Sequence, residues 1–417
     1  MVDVAQSNLT QQTRAALEAV EGGVTAPLGF RSAALHSGIK AKSGALDLAV
    51  LAADTAVPTA GLFTTNLALA APVIVSRQHL ERARGQVRAI VVNSGCANAC
   101  TGDQGMQDAR TMASETASAI GCRPGEVLVA STGVIGVALP MSKLVPGIAA
   151  AVAALERGAG SELARAIMTT DPFPKEYAVT VHLAGGTFTV GGTAKGSGMI
   201  EPNMATMLGF LTTDAQVPPA LLRRALRASA RDTFNAITVD GECSTNDSLF
   251  AMASGASGVA IDEQGYPEFV AALRAVSREL ALGIVRGGEG ATKLIAITVS
   301  GARSEEDARR IARTIANSPL VKTAVHGADP NWGRIVASAG RSGVEFDMHR
   351  TSVHVGGVLL FDNGLPHDES APLAAEHLQG REIRIDVNIG SGGGSAATIW
   401  TCDLSAEYVR INGEYRT

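Results

Sequence analysis

The chain has 417 residues, of which 46% are hydrophobic and 18% charged, and its net charge is −5. A chain of this size buries about three quarters of its unfolded surface and divides into two or more lobes. The mild acidity and the lack of any Lys/Arg run longer than a pair exclude a nucleic-acid partner, which needs clustered positive charge to displace counterions. No apolar stretch reaches the roughly 18 to 20 residues of a membrane span, and Met1–Gln6 shows no basic region followed by an apolar one, so a cytoplasmic protein is expected.

Forty-six glycines and only 4% aromatic residues point to many tight turns and an interior packed mostly by Ala, Val, Ile and Leu. The five cysteines, Cys96, Cys100, Cys122, Cys243 and Cys402, are odd in number and scattered, which argues against a disulfide framework. Cys96 and Cys100 lack the paired histidines of a zinc site, so buried reduced thiols and no metal are expected.

From Gly29 to Ala97 the pattern predicts short strands, including Leu46 to Ala53 and Arg88 to Asn93, with a helix around Ser76 to Ala83. A helix follows over Gln107 to Ile120, stopped by Gly121, and then a strand over Glu126 to Ser131 that delivers Thr132-Gly133 at its carboxyl end. Helices are predicted over Pro146 to Arg157 and Gly160 to Met168. A hairpin joins Tyr177–Leu183 to Thr187–Thr193 around Ala184-Gly-Gly186. Beyond it come a strand bordered by Thr206 and running to Thr213, a helix over Pro218 to Phe234, a turn at Asp240–Cys243 and a long helix over Pro267 to Arg286.

The last third predicts a strand over Ala291 to Ser300, a helix opened by Ser304 with acidic residues in its first turn, and strands over Ser352 to Phe361, Glu382 to Ile389 and Ala396 to Leu404. The fold class is therefore α/β, with mixed sheets covered by helices in two lobes.

The most informative stretch is Lys195-Gly-Ser-Gly-Met-Ile-Glu-Pro-Asn-Met-Ala-Thr-Met-Leu-Gly209, which sets the hydroxyl of Thr206 after Ala205 in a glycine-rich approach. If the Ala205–Thr206 bond opens by attack of Oγ on the preceding carbonyl, Thr206 gains an α-amine beside its own hydroxyl. Nucleophile and base then sit on one residue. The expected pieces are residues 1–205 and 206–417. Neither Gly390–Ser395 nor Gly191–Ser197 has the spacing of a phosphate-binding loop, so both are read as turns or bulges.

That stretch resembles the processing site of the ornithine acetyltransferases, the glutamate N-acetyltransferases of arginine biosynthesis. Further segments resemble the family in order: Asn93–Asn98, Ser131–Gly136, Thr169–Asp171, Gly287–Lys293, Asp329–Arg334 and Ile411–Thr417. The resemblance implies an amino-terminal-nucleophile-type, αββα-like architecture generated by self-cleavage, with an α piece that carries the oxyanion hole and a β piece that begins with the nucleophilic Thr206.

It also implies roles for individual residues: Thr132 and Gly133 as the oxyanion hole, and Thr169, Lys195, Thr206, Glu289, Asn412 and Thr417 as substrate contacts. Thr169 is taken from the pair Thr169 and Thr170. Acetyl transfer from N2-acetyl-L-ornithine to L-glutamate through an acetyl ester on Thr206 needs no cofactor, and two α and two β pieces are expected to assemble. Some members of the family also take acetyl from acetyl-CoA, and no motif here reports on that. The alternative reading is an amino-terminal nucleophile aminopeptidase or amidase, in which water relieves the acyl-enzyme. The roles of Asn93–Asn98 and Asp329–Arg334 do not follow from the residues, although Asn331 to Arg334 could start a helix packed under the site.

Overall fold

A computed structural model of the chain describes residues 16–183, 185–201 and 207–414. Ala205, Thr206 and Thr417 lie outside the described residues. The first lobe runs in the order β1 (Leu17–Val20), β2 (Phe30–Leu35), β3 (Leu48–Phe63), α1 (Ala71–Arg82), β4 (Gln86–Cys96), α2 (Gly102–Ile120), β5 (Val127–Val134), α3 (Met141–Ala153) and α4 (Gly160–Ala166). It continues with β6 (Lys175–Leu183), β7 (Gly186–Lys195), β8 (Leu208–Thr213), α5 (Pro219–Arg231), β9 (Ser248–Ala253) and α6 (Tyr266–Arg286). Hydrogen bonding orders its strands β1-β6-β7-β8-β9-β3-β4-β5, with β2 on the other edge of β3.

Strand β3 explains how one path of strands makes two layers. Its first half, Leu48 to Ala52, pairs with β4, whereas Thr59 to Phe63 pairs with β9, and the β3–β4 register slips between Ala52 and Val57. A slip of this kind bends a strand and re-aims it. Because side chains alternate along a strand, each layer offers one face to a shared core and one to helices. On β4, Ile90 and Val92 join Phe210, Phe250 and Met252 between the layers. Ala89 and Val91 instead turn outward onto Met112, Ala113 and Ile148 of α2 and α3. Across the molecule Leu211, Leu249 and Ala251 meet Leu222 and Leu226 of α5 and Val276 and Leu280 of α6. The order is helices, sheet, sheet, helices, the αββα layering that was expected. Phe210 and Phe250 stack in the middle with ring centroids 6.1 Å apart, and each buried ring contributes on the order of 1.5 to 3 kcal/mol.

The second lobe contains β10 (Leu294–Ala302), α7 (Glu305–Ala316), α8 (Pro319–His326), α9 (Trp332–Gly340), β11 (Ser352–Val355), β12 (Val358–Asp362), β13 (Leu365–Pro366), α10 (Ala371–Leu378), β14 (Glu382–Asn388) and β15 (Ser395–Cys402). A final helix, α11 (Ala406–Glu414), returns to the first lobe. The sheet order is β13-β12-β11-β14-β10-β15. As expected, the Ser304 hydroxyl accepts from the Asp307 N–H to cap α7, whose Ile311 and Ile315 enter this lobe's core.

Several expectations need correction. The short strands foreseen before Ala97 include one of sixteen residues, because β3 serves both layers. Helix α3 starts at Met141 and carries Pro146 inside it, rather than starting there. The single strand expected over Ser352–Phe361 is a hairpin turned at Gly356 and Gly357, both at positive φ. Helices α8, α10 and α11 were not foreseen. Asn331 does start α9, with its side chain accepting from the Arg334 N–H, but Trp332 and Ile335 pack on the second lobe's core and not under the site. The five thiols are free, yet only Cys96 and Cys402 are buried, and Cys100 is exposed. Among the described residues no helix is long and apolar enough to cross a membrane, and no group of three or more His, Cys, Asp or Glu is placed to hold a metal ion.

Candidate active site

The exits of β5 and β7 and the start of β8 meet at a cleft of about 140 Å³. Thr132, Gly133, Thr169, Thr170, Lys195, Glu289 and Asn412 all line it, so every described residue given an oxyanion or substrate-contact role from the sequence converges on one place. Met207, which follows Thr206 in the chain, is in its wall as well.

Thr132 and Gly133 lie within β5, not after it, and β5 continues to Val134. Gly133 stands opposite Gly95 of β4 where the ladder slips, at φ +124. A β-carbon there would collide with the backbone of Gly95 and come 2.7 Å from the Cys96 nitrogen. Only glycine fits. The Asn93–Asn98 segment builds this corner: Asn93 accepts from the Ser131 hydroxyl at 2.6 Å and donates to the Cys96 carbonyl at 2.8 Å. From β9's approach, the Asn246 amide donates to the Ala97 and Ser131 carbonyls at 2.6 and 2.9 Å.

Lys195 ends β7, and its ammonium donates to Thr132 Oγ1 at 3.2 Å. The next residue is fixed by Asp171, whose Oδ1 accepts from the Gly196 N–H at 2.8 Å and from Lys175 Nζ at 2.6 Å. Burial pushes the Asp171 carboxyl up, but the charges of Lys195 and Lys175 and its hydrogen bonds outweigh this and lower its pKa to about 2. Its Oδ2 accepts from the Thr169 N–H at 3.0 Å, which sets the Thr169–Asp171 turn at the rim.

The cleft also carries acidic side chains. Glu289 is only 6% exposed, so the surface fate usual for Glu does not apply here. Asn412 on α11 donates to its Oε2 at 2.7 Å, and a β-carbon on Gly198 would strike its carboxylate. The Glu289 N–H also donates to the Ser197 carbonyl at 3.0 Å, which clamps the Gly287–Lys293 segment against the residues after β7.

Among the lining residues that escaped the sequence reading are Asp240, Tyr408 and Asp247. Asp240, taken as part of a turn, accepts from the Met199 and Ile200 N–H groups at 2.7 and 2.8 Å and so shapes the wall. Tyr408 of α11 donates to it at 3.3 Å. Asp247 is 2% exposed, and its Oδ2 has no hydrogen-bond partner among the described residues. Burial raises its pKa well above the ordinary Asp value, against the opposing pull of the Ser244 hydroxyl, Lys195 and the Thr64 hydroxyl. A signal was available: Ser244-Thr-Asn-Asp-Ser248 is a polar run that enters an apolar strand, where polar side chains are costly unless they do something.

Residues 31–417 match the family model described as the ArgJ family. The chain belongs to the ArgJ family. An ArgJ protein of Symbiobacterium thermophilum, named an arginine biosynthesis bifunctional protein, is 49% identical over 407 residues, which cover 96% of this chain and 100% of that one. An ArgJ protein of the same name from Chlorobaculum tepidum is 50% identical over 396 residues, covering 94% and 96%. Among solved structures, the ornithine acetyltransferase of Mycobacterium tuberculosis complexed with ornithine is 43% identical, covers 46% of this chain and 100% of its own, and has a TM-score of 0.42.

Proposed function

We propose that this ArgJ-family chain is a self-processing acetyltransferase that moves the acetyl group of N2-acetyl-L-ornithine to L-glutamate. The observation that carries the reading is the cleft itself, which the Thr132–Gly133 corner, a cation at Lys195, a buried carboxylate at Glu289 and Met207 line together. The relatives' names, which place them in arginine biosynthesis, support the same activity.

In this reading the chain is cut between Ala205 and Thr206. The Thr206 α-amine, with an ordinary pKa of about 7.7 to 8.0, is largely able to take a proton at neutral pH once partly desolvated. Thr206 Oγ attacks the acetyl carbonyl as its proton passes to that amine. The charge that develops on the carbonyl oxygen meets the Thr132 hydroxyl and the Gly133 N–H. The C–N bond then breaks, ornithine leaves with the proton, and acetyl remains as an ester. The amine of glutamate attacks this ester by the reverse steps and leaves as N-acetyl-L-glutamate. One amide replaces another, so the step is nearly balanced in energy.

Lys195 attracts the substrate α-carboxylate, and Glu289 with Asn412 the ammonium. Thr169 and Thr417 complete the contacts. Two α and two β pieces assemble, the enzyme works in the cytoplasm, and acetyl-CoA is a second donor, as the relatives' bifunctional name suggests. An intact-mass measurement of the purified protein tests the scheme: two fragments are expected, one of which gains an acetyl group on incubation with acetylornithine. A single uncut chain, or cutting that persists in Thr206→Ala, would overturn it. Release of acetate at full rate without glutamate would instead favour a hydrolase.

A further inference from the structure

The proposed reaction asks one cleft to accept two side chains of opposite charge, the ammonium of ornithine and the γ-carboxylate of glutamate, in alternate half-reactions. Around Tyr408 the cleft is lined by Asp240, Glu242 and Glu289. Three carboxylates suit an ammonium and repel a carboxylate. A group must therefore stand there that can meet either charge.

The donors there are mostly spent. The Asn412 amide gives its hydrogens to Glu289 Oε2 at 2.7 Å and to the Tyr408 carbonyl at 3.0 Å. Asp240 is satisfied by backbone N–H groups of Met199, Ile200 and Glu242 without help from any side chain. The Tyr408 hydroxyl differs. Its bond to Asp240 Oδ2 is long, at 3.3 Å, and duplicates a bond that oxygen already has. One turn of helix separates Tyr408 from Asn412, so both face the cleft from α11.

We infer that Tyr408 sets the acceptor specificity of the transfer, its hydroxyl turning from Asp240 to donate to the γ-carboxylate of glutamate and accepting from the side-chain ammonium when ornithine occupies the site. A phenol oxygen both donates and accepts, which neither a carboxylate nor an ammonium can do. Burial, with Asp240, Glu289 and Glu242 nearby, holds its pKa above the ordinary tyrosine value, so the proton needed for donation stays in place. The inference rests on the acetyltransferase reading above.

Tyr408→Phe tests it, since the ring stays and only the hydroxyl goes. Acetyl transfer from acetylornithine is followed with L-glutamate and with L-norvaline, an acceptor of similar length without side-chain charge. The expected result is a loss of about tenfold in kcat/KM for glutamate, carried by KM, with norvaline changed less than about twofold. The acetylornithine half-reaction should change less than glutamate's, because the carboxylates still hold the ammonium. Unchanged glutamate kinetics overturn the inference, as does an equal loss with both acceptors, which would mark Tyr408 as a packing residue. Wild-type protein that moves no acetyl from acetylornithine would sink the acetyltransferase reading instead.

Discussion

Lys195 Nζ stands 3.2 Å from Thr132 Oγ1, and that contact joins β7 to β5, strands that sit five places apart in the strand order. It closes the cleft where the two layers converge. It also leaves the Thr132 hydroxyl hydrogen free to point at a ligand, because the hydroxyl accepts from the ammonium and need not donate back. Replacing Thr132 by Val keeps the shape and removes the hydroxyl. Acetyl transfer should then fall by about 10² to 10³, the worth of one oxyanion donor, while Thr132→Ser keeps most of it. Steady-state rates on folded protein decide the matter, and a loss below about threefold in Thr132→Val would remove Thr132 from that role.

Asp171 and Lys175 form an ion pair with side-chain exposures of 0% and 2%. Asp171→Asn leaves an unmatched ammonium inside the protein, which costs about 3 to 5 kcal/mol. For a chain of this size the melting temperature should drop by roughly 3 to 6 °C. The folded Asp171 pKa of about 2 lies below the ordinary 3.8, so its contribution is present above about pH 4 and is lost as pH falls toward 2. Melting curves collected between those values should show the wild type losing stability faster than the variant.

Asp247 carries the opposite dependence. Its folded pKa lies well above 3.8, so the native state holds a proton that the unfolded chain has released over that interval. Stability therefore declines as pH rises through the folded value. Asp247→Asn, which keeps the shape and cannot ionise, should flatten the fall in melting temperature over the range above the ordinary Asp value of about 3.9. A variant that melts in parallel with wild type across that range would show that Asp247 is already ionised in the native protein.

Much of the site was legible in the sequence through its resemblance to a family rather than through local pattern. By pattern alone Thr132-Gly133 reads as a turn that ends a short apolar strand and Lys195 as an exposed lysine at the end of a hairpin arm, yet both line the cleft. Long-range geometry was not legible. Nothing local reports that β3 changes partners midway, since both halves are simply apolar. Helix α11 went unseen because none of its residues is buried; with no apolar stripe there is no periodicity to read. Tyr408 was missed with it. Asp240 was visible as a turn, but its value lies in which backbone groups it caps, and that depends on Met199 and Ile200 some forty residues earlier.

Strands β7 and β8 are adjacent and antiparallel, paired from Val190–Thr213 to Lys195–Leu208, and the Ala205–Thr206 bond belongs to the connection between them. Severing that connection removes none of these rungs, so the two halves would remain laced together as firmly as before. Unfolding is another matter. Once melted, separate halves must find each other by diffusion, so recovery would depend on concentration and the intact precursor would be the only form that folds in a single-chain event.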